Sequence, residues 1–73
     1  MERIKKDGHV VIVGQRYKYG KFKIRITLIS NQFIRYEVIK DKGGTYHSGL
    51  DTRVFFKQLE RGALKLLGGK SGT

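Results

Sequence analysis

The sequence predicts an α+β fold that is mostly β: four or five short antiparallel strands, with one short helix late in the chain. Three observations carry this. Between Lys21 and Ile29, Phe22, Ile24, Ile26 and Leu28 alternate with Lys21, Lys23, Arg25 and Thr27. A period of two gathers the apolar set on one face of a strand, whereas a helix would scatter it. Glycine is plentiful and proline absent, so Gly, Asn and Asp must make frequent turns. After Gly49 the pattern changes: Asp51 can cap a helix with Phe55, Phe56 and Leu59 as its apolar stripe.

Taken in order, residues 1–8 are polar and charged, with Arg3, Lys5 and Lys6 beside Glu2 and Asp7, and read as a flexible basic arm. A single small β-rich domain is expected over 9–67. His9–Val13 is a β-branched run ending at Gly14, consistent with a buried strand. Lys21–Ile29 is a strand, and Phe33–Lys40 is its antiparallel partner. With Ser30, Asn31 and Gln32 as the loop, Leu28 faces Ile34, Ile26 faces Tyr36 and Ile24 faces Val38. The same register sets Arg25 opposite Glu37 and Lys21 opposite Asp41. A two-residue loop would place Ile26 opposite Glu37, which the faces forbid. The three-residue loop calls for Asn31 or Gln32 in a left-handed conformation.

Lys42, Gly43 and Gly44 form the next turn, and Thr45–Ser48 a further strand. The helix follows, with Lys57 and Arg61 in its last turn and Gly62 as terminator. Ala63–Leu67 fits either a continued helix or a short strand pairing with His9–Val13, and the strand is preferred. Residues 68–73 read as a flexible tail. Such an order suits a small twisted sheet or a partly closed barrel of the SH3-like or OB-like kind. It also resembles small, basic phage and prophage proteins built on SH3-like barrels. Gly14-Gln15-Arg16-Tyr17, the Ile-rich hairpin, Gly49-Leu50 and the Phe55–Gly62 stretch carry that resemblance, which covers most of the chain. It implies a regulatory or accessory role and no chemistry.

Charge narrows the function. Sixteen Lys and Arg stand against six Asp and Glu, a formal net charge of +10 on 73 residues. That excess costs stability through self-repulsion in a chain that buries only about 60% of its unfolded surface. A polyanion explains it better than solubility alone: nucleic acid first, DNA or RNA, and an acidic protein surface second. The latter reading is a small regulator, phage-encoded on the resemblance, that docks its basic face on an acidic host protein such as the transcription machinery. The main candidate surface is Arg16, Tyr17, Lys18, Tyr19, Lys21, Lys23 and Arg25, free of acidic residues, with Arg35 on the same outer face. Cations there neutralise phosphates and tyrosines offer faces for stacking bases. A second set is Arg53, Lys57 and Arg61, spaced to share a helix face, with Arg3, Lys5 and Lys6 of the arm. Ile29 and Phe33 at the hairpin tip could wedge into a groove or dock on a protein.

An enzyme is not expected. There is no cysteine, and the only histidines are His9 and His47, the latter read as an exposed strand residue. Glu37 has an arginine neighbour and is not poised as an acid. Ser48 and Ser71 lack a base, and Gly69-Lys70-Ser71 misses the first glycine of a phosphate loop, Leu64 standing there. No metal or cofactor is expected. With no signal peptide or transmembrane run, the expected place is the cytoplasm, without membrane contact.

Overall fold

Asp7 and Gly8 both adopt positive φ, 52° and 83°, the pattern a tight two-residue hairpin requires and an Asp-Gly pair supplies. They join strand β1 (Arg3–Lys6) to β2 (His9–Ile12), with Lys6 opposite His9 and Ile4 opposite Val11. The expected arm is thus not an unpaired segment but half of a hairpin. Its backbone is tied down further where Val13 N–H donates to the Glu2 carbonyl at 2.9 Å and Met1 N to the Ile29 carbonyl at 3.0 Å. The structure, a computed structural model, describes residues 1–40 and 44–67. The turn residues Lys42 and Gly43, the Lys21–Asp41 pair and the tail 68–73 lie outside the described residues.

The rest of the chain forms a five-stranded antiparallel sheet and one helix. Its strands are β3 (Arg16–Tyr19), β4 (Phe22–Ile29), β5 (Phe33–Ile39), β6 (Thr45–Asp51) and β7 (Leu64–Leu67), in the spatial order β6-β5-β4-β3-β7. The mostly β, α+β class holds, and the twisted sheet is the form taken. Among the described residues no ladder joins β6 to β7, so the sheet stays open and does not close into a barrel. β7 is the strand expected near Ala63–Leu67, but it pairs with β3, not with His9–Val13. β2 is taken up by β1, and a left-handed turn at Gly62 (φ 81°) returns the chain along the free edge of β3.

The β4–β5 register is the expected one at Ile24 with Val38, Arg25 with Glu37 and Ile26 with Tyr36. Beyond Ile26 a bulge intervenes: Thr27 has no partner, Leu28 faces Arg35, and Ile29 faces Ile34. One extra residue inverts the alternation. Ile29 is therefore 1% exposed and Leu28 43% exposed, the reverse of the expected assignment. On the other side of β4 the turn after β2 closes on the same spot. Gly14 N–H donates to the Ile26 carbonyl at 2.8 Å, and Ile26 N–H donates to the Gln15 carbonyl at 2.9 Å. The three-residue loop Ser30–Gln32 is kept, but neither Asn31 nor Gln32 takes positive φ. The Ser30 hydroxyl closes it instead, donating to the Phe33 carbonyl at 3.0 Å and accepting from Phe33 N–H at 3.1 Å.

Helix α1 (Thr52–Arg61) is built as its sequence predicts. The Asp51 carboxylate accepts from Arg53 N–H at 2.9 Å, Gly62 ends it, and Phe55 and Phe56 are buried beneath it. Thr52 anchors the helix start to the hairpin loop, its hydroxyl donating to the Ser30 carbonyl at 3.0 Å. The core collects Val11 of the first hairpin, Tyr17, Ile24, Ile26, Ile29, Ile34, Tyr36, Val38, Leu64 and the two phenylalanines. Phe22 shares the core face by alternation but stands first in β4, at the turn, and is left 40% exposed.

Tyr17 belongs to this core. It is 1% exposed, meets Phe55 edge-on with ring centroids 5.6 Å apart, and donates its hydroxyl to the Gln15 side chain at 2.9 Å. Burial disfavours the phenolate and pushes its pKa from 10.0 up to about 12. A group raised in the folded state stabilises the fold fully below the unfolded value and loses that contribution as pH rises through the folded value. Stability should therefore decline between about pH 10 and 12. Tyr17→Phe should cost about 0.5–1.5 kcal/mol at neutral pH through the lost hydrogen bond, and should flatten that alkaline decline. Urea titrations of both proteins at pH 8, 10 and about 11.5 measure it; equal alkaline slopes would contradict it.

Candidate nucleic-acid interface

Because Tyr17 points into the core, its neighbours on β3, Arg16 and Lys18, point out on the opposite face. Register then decides what they meet. Lys18 lies between Lys23 on β4 and Lys65 on β7, so three lysines stand in one row across three adjacent strands. In the next row Arg16 faces Arg25, and Arg25 is paired on its far side with Glu37 through an ion pair. All five cations of β3, β4 and β7 named here are exposed, while Glu37 is half-buried.

Like charges directly opposite on neighbouring strands destabilise a sheet, whereas opposite charges support it. Among the described residues this face holds the like-charge pairs Lys18–Lys23, Lys18–Lys65 and Arg16–Arg25 against the Arg25–Glu37 bridge. A face shaped only by folding stability would not set Lys18 against Lys23 across β3 and β4 inside the sheet, although Lys65 stands on the edge strand β7. The arrangement concentrates positive charge on the exposed side of β3, β4 and β7.

The structure thus brings together Arg16, Lys18, Lys23 and Arg25 and adds Lys65, which sequence reasoning missed. Alternation in Leu64-Lys65-Leu66 hinted at its outward aim, but only the pairing of β7 with β3 puts it in the row. Arg35 lies further along the outer face, past the bulge, with its guanidinium 5.6 Å from the Phe33 ring centroid. Tyr17 is withdrawn as a stacking residue because it is buried, and Tyr19 is half-buried against the core. Ile29 leaves the tip for the same reason; the exposed apolar pair there is Leu28 and Phe33. Lys21 sits in the β3–β4 turn and lines a cleft at that end of the sheet with Phe22, Lys23, Ile39 and Lys40.

The second basic set behaves differently. Lys6, Arg53 and Lys57 do converge, around a cleft of about 460 Å³ between the first hairpin and α1, but Asp7, Asp51 and Glu60 line it too. Three cations against three carboxylates leave no net attraction for a polyanion. Arg3 and Lys5 lie on β1, in the separate two-stranded sheet, and Arg61 in the last helical turn. His47 is exposed on β6, as expected. Among the described residues no group of three His, Cys, Asp or Glu side chains could hold a metal ion, and no helix is long and apolar enough to cross a membrane.

No protein-family model, curated protein or solved structure gives a significant match to this chain.

Proposed function

We propose that the chain is a non-enzymatic nucleic-acid-binding module whose outer sheet face contacts the phosphate backbone. The observation that carries this is the row Lys65–Lys18–Lys23 beside Arg16–Arg25, a like-charge arrangement that costs stability unless an anion lies across it. The net charge of +10 supports the same reading, since it exceeds what solubility needs. Phosphates spaced along a strand suit cations spaced across neighbouring β-strands, about 4.8 Å apart, better than an isolated anion would.

A second reading keeps the face and changes the partner. Leu28 and Phe33 are exposed beside Arg35, and an apolar pair next to a cation suits a protein surface. The chain would then be a small regulator docking on an acidic host protein such as the transcription machinery.

Mapping amide chemical shifts during titration with an oligonucleotide separates the two. The nucleic-acid reading expects the largest changes at Arg16, Lys18, Lys23, Arg25 and Lys65, with α1 little affected. Changes confined to the cleft of Arg53 and Lys57, or none at millimolar oligonucleotide, would count against it. A nuclease-resistant protein captured from lysate through Leu28, Phe33 and Arg35 would favour the second.

A further inference from the structure

In register the lysine row ends at Lys23, which faces Ile39 on β5. Lys23 also lines a cleft of about 310 Å³ at the start of β4 and the end of β5, together with Lys21, Phe22, Ile39 and Lys40. That volume sits at the small end of the roughly 300–1,000 Å³ in which small ligands bind. Lys21 Nζ stands 5.6 Å from the Phe22 ring centroid, and Lys40 Nζ 4.8 Å from that of Tyr46, itself exposed. The cleft therefore joins a part-exposed aromatic ring, with the Lys21 ammonium over one face, to three lysines, and a second aromatic lies just past Lys40.

We propose that this cleft receives an unpaired base, stacked on Phe22, so that the module selects single-stranded over duplex nucleic acid. The inference rests on the reading of the outer face as a phosphate surface and goes beyond it by naming the form of nucleic acid. In a duplex, base faces are covered by their neighbours in the stack; only an unpaired base can lay its face on a protein ring. Phosphates flanking that base then meet Lys21, Lys23 and Lys40, and the strand passes round this end of the sheet, from the side of Phe22 to the outer face, to reach Lys18 and Lys65. The balanced cleft at α1 offers no comparable ring: Phe56 there is buried and three carboxylates surround it.

The test measures anisotropy of dye-labelled single strands of thymidylate and of uridylate, about twelve nucleotides long, and of a duplex with equal phosphate number. Phe22→Leu keeps the apolar volume and removes the aromatic face; Phe22→Trp keeps the face and adds the only tryptophan in the chain. Wild type should bind the single strands more tightly than the duplex. Phe22→Leu should weaken single-strand binding by about 5- to 150-fold, the range for one lost base stack. Its duplex affinity and salt dependence should be unchanged. Phe22→Trp should bind like wild type, with emission quenched by the single strands. Wild-type affinity in folded Phe22→Leu, tighter duplex binding, or unquenched emission from bound Phe22→Trp would overturn the proposal. If lysine substitutions on the row weaken binding while Phe22→Leu does not, this inference fails and the phosphate face stands. If wild type binds no oligonucleotide, both fail. A deoxyuridylate strand, which differs from the uridylate strand in the sugar alone, identifies the sugar preferred.

Discussion

Ile26→Asp is expected to abolish folding. The side chain is buried opposite Tyr36, and its backbone is held on both sides, by Gly14 and Gln15 across one edge and β5 across the other. An unpaired carboxylate placed there loses its water and gains no cation, a cost of several kcal/mol. A chain of 73 residues has about 4–11 kcal/mol of total stability at typical values per residue. The penalty is a large share of that, and circular dichroism should show no cooperative melt. Ile26→Val, which removes one methyl group, should fold and cost about 0.5–1.5 kcal/mol. The bulge at Thr27 sharpens the test. Ile29→Asp should be as damaging as Ile26→Asp, while Leu28→Asp, on the exposed side, should cost under about 1 kcal/mol. A strand without the bulge predicts the opposite order for residues 28 and 29.

The second large effect is on binding. Lys18, Lys23 and Lys65 should each neutralise a phosphate, and replacing all three with Ala removes three released counterions. With a slope of about 0.7 per single-strand phosphate, three lost contacts lower affinity roughly 100-fold at 0.1 M salt. Folding should change by less than about half a kcal/mol per site, because all three side chains are exposed and their mutual repulsion disappears with them. Loss of affinity with an unchanged or raised melting temperature is the expected combination. Unfolding of the triple variant would instead mean that the row holds the sheet together.

Local patterning made much of this fold legible. Strict alternation identified β4, matched apolar faces identified its register with β5 at three pairs, and Asp51 and Gly62 bracketed the helix. What escaped depended on a single residue or on a non-local partner. The bulge adds one residue, and no periodicity distinguishes Leu28 from Ile29 when both are apolar. β1 escaped because its strand is short and charged, although the Asp7-Gly8 turn was readable. β3 escaped as a strand because its four residues alternate cation and tyrosine, and the cations drew attention to binding instead of to Tyr17 and the core. The site was legible as a basic segment but not as a surface. That Lys18 faces Lys65, forty-seven residues on, follows from β7 pairing with β3, which composition cannot express.

If the exposed face of β3, β4 and β7 binds phosphates, association with a nucleic acid will weaken with salt in proportion to the phosphates contacted. Association of a single-stranded oligonucleotide with wild type and with the Lys18→Ala, Lys23→Ala, Lys65→Ala variant is measured between about 50 and 200 mM salt, where log–log slopes report phosphate contacts. Wild type should show a steep slope and the variant one shallower by about 2, at about 0.7 for each of three lost contacts. Equal slopes for the two folded proteins would contradict it.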